Sequence, residues 1–340
     1  VPILHEFKAD NVHNIVNHSE AKLLFVGDVV WENLNESAMP LLEGILMMND
    51  FTLLVSRSER LTHAREHLNE MFGKKFPKNF RKEHIEYHKD QPEELAVINY
   101  TSGTTSYSKG VMLPYRSLWS NTAFAFEVLP LKAGDKIVSM LPMAHMYGLA
   151  FEFLYEFAVG CQIYFLTRMP SPKIIFQAFA DVKPNLIVAV PLIIEKIIKK
   201  SVLPKLETPT MKLLLKVPII NDKIKATVRE EMIKGFGVIV GGAAFNQEVE
   251  QFLRMIDFPY TVGYGMTECG PIICYEDWKR FKPGSCGKAA LNMEVKVLSP
   301  DPENVVGEIV CKGPNVMLGY YKNEESTAQV IDKDGWLHTG

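Results

Sequence analysis

Short β-branched runs separated by longer amphipathic stretches constrain this chain more than any other feature. Lys22–Gly27, Phe51–Val55, Leu95–Tyr100, Lys136–Met140, Gln162–Leu166, Leu186–Val190 and Val238–Val240 each read as a strand. Between them, apolar residues recur at helical spacing over Leu61–Phe72, Leu118–Phe126, Tyr147–Val159, Ile174–Phe179, Leu192–Lys200 and Gln247–Ile256. Strand and helix alternating in this way predict an α/β protein with mostly parallel sheets covered on both faces. From Gly284 the pattern changes. Met293–Leu298 and Gly307–Lys312 are short alternating strands joined by the turn-rich Pro300-Asp301-Pro302-Glu303-Asn304, which predicts a small antiparallel or barrel-like unit. At Gly235-Phe236-Gly237-Val238 helix gives way to strand abruptly, as it would if a loop were missing.

At 340 residues the chain is long enough for two or three folding units with a sizeable core. Its 37 basic and 40 acidic residues leave a formal charge of −3, which gives no electrostatic reason to bind nucleic acid. The longest apolar region, Ile137–Phe165, is interrupted by His145, Glu152 and Glu156, so no stretch predicts a membrane span. Five cysteines (Cys161, Cys269, Cys274, Cys286 and Cys311) are an odd number without a C-x-x-C pair, which fits a reduced, cytoplasmic compartment better than a disulfide scaffold. The first residues show no signal peptide and no starting Met, and the chain stops at Trp336-Leu337-His338-Thr339-Gly340. Both ends read as cut.

Three segments carry chemistry. Tyr100-Thr101-Ser102-Gly103-Thr104-Thr105-Ser106-Tyr107-Ser108-Lys109-Gly110 follows an apolar strand and is dense in small hydroxyl residues, with two glycines and one lysine. Such a loop can wrap phosphate oxygens with N–H and O–H donors while the lysine adds a point charge; a Ser/Thr-rich surface loop is the plainer alternative. It is not a Walker A loop, because the G-x-x-x-x-G-K-[ST] pattern from Gly103 puts Ser108 at the second glycine. In Val262-Gly263-Tyr264-Gly265-Met266-Thr267-Glu268 a strand ends in a glycine-flanked aromatic that can stack on a purine, then a hydroxyl and a carboxylate suited to phosphate and hydrated Mg²⁺. Alone it could be a strand-end turn. Gly241-Gly242-Ala243-Ala244 would let a planar ligand approach the backbone, or would simply pack tightly.

Together these segments resemble the adenylate-forming superfamily of acyl-CoA synthetases, adenylation domains and luciferases. That family's Y-T-S-G-T-T-G-x-P-K-G matches Tyr100 to Gly110 except that Ser106 replaces Gly and Ser108 replaces Pro; its Y-G-x-T-E matches Tyr264 to Glu268. Leu141–Gly148, Gly284–Lys288, Gly307–Ile309, Gly319-Tyr320-Tyr321 and Asp334–Gly340 match further, the last stopping one residue short of the family's D-G-W-x-x-T-G-D. Lys183–Ile197 and Leu141–Tyr147 look most like long-chain fatty acid–CoA ligases, although Leu192 stands where those have Arg. Tyr147, Phe151 and Phe153 suit an alkyl chain or ordinary core packing.

The resemblance implies two packed, mostly parallel sheets with helices in layers plus a small β-rich subdomain. It would divide the chain into an α/β body at 1–284, with its N-terminal part missing, and a β-rich unit at 285–340, with the family's C-terminal domain absent. It implies ATP-dependent conversion of a long-chain fatty acid to an acyl-adenylate and transfer to CoA, with ATP, Mg²⁺ and CoA taking part. Thr101, Ser102, Gly103, Thr104, Thr105 and Lys109 would bind pyrophosphate. Gly242, Ala243, Ala244 and Tyr264, with Gly265 and Met266, would bind the adenine side. Thr267 would meet the α-phosphate and Glu268 would hold Mg²⁺, while His145, Tyr147 and Gly148 would face the acid. Two rivals remain: a fatty acyl-AMP ligase loading a carrier protein, which shares every motif, and a catalytically idle homologue, against which the retention of Lys109, Thr267 and Glu268 speaks. The pairs His63/His67 and His84/His88 lack a third ligand, and the cluster Lys74, Lys75, Lys78, Arg81 and Lys82 reads as a solvated face, with peripheral contact to anionic lipid left open.

Overall fold

The structure, a computed structural model, describes residues 1–76, 78–101, 108–166, 171–236 and 238–340. Parallel pairing occurs where the sequence runs strand–helix–strand, since parallel neighbours need a long crossover. Leu186–Ala189, Val238–Gly241 and Tyr260–Val262 form one parallel sheet with Val238–Gly241 in the middle. All four residues of Leu186–Ala189 are buried, as expected of a strand covered on both faces. Lys136–Ser139 pairs in parallel with Gln162–Phe165, and Leu23–Val26 with Gly44–Met47, to which Leu53–Ser56 adds an antiparallel edge.

The remaining sheets are antiparallel. Leu95–Tyr100 pairs with Gly110–Pro114, which pairs in turn with Gly319–Tyr320. Tyr264–Gly265, Ile272–Tyr275 and Lys288–Ala289 form a second sheet, and Glu294–Leu298, Glu308–Lys312 and Leu337–His338 a third. This last sheet is the antiparallel unit that the alternation after Gly284 predicts. Two other short strands of residues 285–340 pair with strands of the preceding body, Lys288–Ala289 with Ile272–Tyr275 and Gly319–Tyr320 with Gly110–Pro114.

Several helices differ in extent from the sequence reading. The region of Leu61–Phe72 holds two helices, Glu59–Glu66 and Leu68–Lys75, that meet at the non-helical His67. The region of Tyr147–Val159 is helical from Met146, but Ala150–Leu154 is a π-turn. Ala9–His18, Pro209–Leu214, Pro218–Phe236 and Glu324–Val330 are further helices. The abrupt passage at 235–238 lies between Pro218–Phe236 and Val238–Gly241, and Gly237 is outside the described residues. No described helix is long and apolar enough to cross a membrane.

Two apolar cores flank the region where the motifs meet. One joins Val111, Leu113, Phe124, Phe151 and Tyr155 to Ile272, Ile273 and Cys311. The other packs Ile187 and Ala189 against Phe245, Phe252 and Tyr260. A buried polar knot crosses the first. The Asn121 side chain donates to the carbonyls of Ser117 (2.8 Å) and Cys269 (3.1 Å) and accepts the Ile272 N–H (2.9 Å). Asn315 donates to the Ile272 carbonyl at 2.7 Å, and the Ser117 hydroxyl donates to the Asn315 carbonyl at 2.8 Å. These bonds tie the turn containing Thr267 and Glu268 to the helix Tyr115–Val128.

Candidate active site

Ligands of open α/β sheets sit beyond the carboxyl ends of the strands, and three parallel strands end here side by side. Ala189, Gly241 and Val262 lie in register. The Gly242 N–H donates to the Ala189 carbonyl at 3.2 Å, and the Gly263 N–H to the Gly241 carbonyl at 2.9 Å. Neighbouring strands therefore release Gly242-Ala243-Ala244 and Gly263-Tyr264-Gly265 at one level. The two turns line a cleft of about 450 Å³, together with Phe281 and Gly284, Ser285 and Cys286. Register explains why segments some twenty residues apart meet.

The glycines here are required by close approach. A Cβ on Gly265 would collide with the Pro271 carbonyl, and one on Gly242 would come within 2.8 Å of the Tyr147 ring. A second, smaller cavity of about 70 Å³ shares Gly242, Gly263, Tyr264 and Gly265 with the cleft. Its other walls include Phe124, Tyr147, Phe151 and Tyr275. The Tyr147 hydroxyl donates to the Val240 carbonyl at 3.0 Å, which fixes the ring, and burial raises its pKa well above the usual phenol range. Tyr147 thus presents a neutral ring to an apolar space.

At the hydroxyl-rich segment, Tyr100 pairs with Gly110 and the Thr101 N–H donates to the Lys109 carbonyl at 3.1 Å, which closes its base. Ser102, Gly103, Thr104 and Thr105 lie outside the described residues. The Lys109 ammonium stands 4.7 Å from the centre of the Tyr320 ring, a cation–π distance. The Tyr320 hydroxyl donates to Glu268 Oε1 at 2.8 Å. Burial and the Glu268 carboxylate both push the Tyr320 pKa up, so the phenol keeps its proton and remains a donor. Glu268 is buried, and its carbonyl accepts the Met317 N–H at 2.8 Å.

The expected acid-side residues separate. Tyr147 lines the apolar cavity, His145 is exposed ahead of the helix Met146–Leu149, and Gly148 is buried against the Pro142 carbonyl. Met266 packs half-buried against the first core, and Thr267 opens the short helical turn carrying Glu268. Sequence reading gave Tyr320, Asn121 and Glu152 no role in the site. Gly319-Tyr320-Tyr321 stands out only through the family resemblance, because the partner of Tyr320 lies 52 residues away. Asn121 and Glu152 did carry a signal, as polar residues inside apolar helical stretches.

The histidine pairs stand apart from this site. His63 and His67 stack with ring centres 4.2 Å apart on an exposed helix, and His88 pairs with Glu94 at 3.0 Å. Lys74, Lys75, Lys78, Arg81 and Lys82 are exposed beside Phe72 and Phe80. Among the described residues no three His, Cys, Asp or Glu side chains converge as a metal-ligand set. A single carboxylate such as Glu268 still suits Mg²⁺, which is usually held by one or two carboxylates plus substrate phosphates.

The AMP-binding enzyme family model matches residues 1–321. Among curated relatives, 4-coumarate–CoA ligase 1 of Solanum tuberosum is 32% identical over 269 residues, spanning 74% of this chain and 45% of that protein. The chloroplastic long-chain-fatty-acid–[acyl-carrier-protein] ligase AEE15 of Arabidopsis thaliana is 29% identical over 304 residues, 73% of this chain and 41% of that one. The chain spans less than half the length of these relatives. The inhibitor-bound N-terminal domain of FACL13 from Mycobacterium tuberculosis superposes with a TM-score of 0.72 at 19% identity, covering 100% of this chain and 75% of that one. ATP-bound MatB from Rhodopseudomonas palustris gives 0.73 at 20%, covering 100% and 60%. These likenesses show the mixed α/β fold of the N-terminal domain of adenylate-forming enzymes. With the family model matched from the first residue through the strand that carries Tyr320, the chain belongs to the AMP-binding enzyme family.

Proposed function

We propose that this chain is the nucleotide- and acid-binding part of an enzyme that activates a carboxylic acid as its acyl-adenylate, releasing pyrophosphate, and passes the acyl group to CoA with release of AMP. The observation that carries this reading is the level release of Gly242–Ala244 and Gly263–Gly265 into one cleft that adjoins an apolar cavity. The cleft suits a planar base and the cavity an apolar acid, with the carboxylate and the α-phosphate meeting between them. In such a transfer the protein positions groups and balances charge. Tyr264 would stack on the adenine against Gly242–Ala244, Thr267 would orient the α-phosphate, and Lys109 with Thr101, Ser102, Gly103, Thr104 and Thr105 would receive pyrophosphate. Glu268 would hold Mg²⁺, which when bound neutralises phosphate charge. Tyr320 orients the Glu268 carboxylate and supports Lys109.

For the acid, our first reading is a long-chain fatty acid, supported by the patterns at Lys183–Ile197 and Leu141–Tyr147. The aromatic walls of the 70 Å³ cavity and the 4-coumarate ligase relatives favour an aromatic acid as the second. A carrier protein in place of CoA is supported by the AEE15 likeness. Thermal stabilisation by hydrolysis-resistant acyl-adenylate analogues tests the choice of acid, the acyl-adenylate being common to both acceptors. A ligand at 100 times its Kd adds about 2.7 kcal/mol. Stabilisation by a long alkyl analogue, but not by 4-coumaroyl, acetyl or aminoacyl ones, is expected; stabilisation by the 4-coumaroyl analogue alone replaces the fatty acid with an aromatic one. No response to any analogue or to AMP refutes the site.

A further inference from the structure

We infer that Glu152 is a positioning residue for the acid side of the site: it fixes the end of the strand Lys136–Ser139, and with it the segment that brings Tyr147 to the wall of the apolar cavity. Glu152 is 1% exposed. Its Oε2 accepts the N–H groups of Met140 at 2.9 Å and Leu141 at 2.7 Å, and the Ser139 hydroxyl at 3.3 Å. Two backbone N–H groups of the kind a strand leaves unpaired when it ends inside the protein, and one side-chain hydroxyl, share this buried oxygen. The Oε1 atom has no hydrogen-bond partner among the described residues. One oxygen therefore carries the whole interaction.

The backbone explains how Glu152 reaches them. Residues Ala150–Leu154 form a π-turn within the helical run Met146–Val159. Such turns alter side-chain register and are frequent at functional sites. Here Tyr147 and Phe151, one turn apart, both face the cavity, while the next residue, Glu152, points to the strand end. The Tyr147–Phe151 ring pair, with centres 6.0 Å apart and planes at 71°, is bracketed by the strand end that Glu152 holds and by Glu152 itself. A Cβ on Gly148 would come within 2.7 Å of the Pro142 carbonyl, so the same segment folds closely on itself there. Glu152 itself lines neither the cavity nor the nucleotide cleft, and the segment it holds reaches the cleft only where Tyr147 packs against Gly242, so Glu152 should act on the acid more than on AMP.

The inference rests on the acyl-adenylate reading, and its test separates the two. Hydrogen exchange of the whole chain needs no ligand. In Glu152→Ala, exchange through residues 139–148 should accelerate about tenfold for each lost hydrogen bond, with the strand Leu23–Val26 unaffected. Affinity for the analogue that stabilises the wild type should fall about tenfold, with AMP affinity unchanged. Glu152→Gln, which keeps a carbonyl oxygen for all three donors, should restore both. Should Glu152→Ala not fold, Glu152→Met fills the volume without an acceptor equal to a carboxylate. Unchanged exchange over 139–148, equal losses for AMP and the analogue, or failure of Glu152→Gln to rescue overturns the role. If the wild type binds no analogue, the function reading fails and the exchange comparison alone decides whether Glu152 holds the segment.

Discussion

Replacing Asn121 by Ala should unfasten the turn that carries Glu268. Asn121 is fully buried and makes three hydrogen bonds of 2.8 to 3.1 Å, one of them to Ser117 in its own helix. The Ser117 carbonyl keeps its helical environment after the change. The Cys269 carbonyl and the Ile272 N–H do not, and a buried polar group left unpaired costs about 1–3 kcal/mol. Two such groups give a loss of about 2–6 kcal/mol, a large share of the roughly 5–15 kcal/mol that holds a folded domain. Urea unfolding should show the midpoint falling with little change in slope. Asn121→Leu is the control, because it fills the space yet strands the same two groups. If the leucine variant regained most of the lost stability, the loss would come from the cavity and the hydrogen-bond argument would be wrong.

Three other outcomes follow from the site. Gly265→Ala should weaken AMP binding more than tenfold by calorimetry, since its Cβ meets the Pro271 carbonyl; wild-type affinity would show that the turn yields freely. Tyr320→Phe should lower stability by about 1–3 kcal/mol by removing the donor to buried Glu268, and Tyr320→Leu should lose about 0.5–1 kcal/mol more with the Lys109 cation–π contact. A denaturant series that ranks leucine above phenylalanine contradicts this. Burial raises the carboxyls of Glu152 and Glu156 from 4.5 to about 8, with their mutual repulsion adding to the rise at Glu152. The folded chain then holds protons that the unfolded chain releases, so stability should be full below pH 4.5 and fall until about pH 8, by at most about 1.4 kcal/mol per pH unit per group. Glu156→Gln should flatten that slope; an unchanged slope assigns it to other groups.

The sequence was most legible where one strand carries its own signal. Leu95–Tyr100 forms over the residues its pattern predicts, and Leu186–Ala189 ends one residue early. Gly110–Pro114 escaped notice because four of its five residues are buried, so no alternation marks it. Pro218–Phe236 spreads lysine and glutamate around its turns and offers no apolar stripe. In the site, local motifs named Gly242–Ala244 and Tyr264–Glu268, but their common level depends on strand register with Gly241. The Tyr320–Glu268 and Asn121–Ile272 bonds depend on chain crossings 52 and 151 residues long. No short-range pattern encodes such pairs.

The aromatic ring of Tyr320 also bears on how this sequence can change over generations. Lys109, Glu268 and Tyr320 come from three distant parts of the chain, yet each meets the others through that one ring and its hydroxyl. Loss of the tyrosine strands a carboxylate, and loss of the carboxylate strands a buried phenol. Single replacements at either position are therefore penalised, and descendants that keep the fold should alter the two positions jointly or leave both alone.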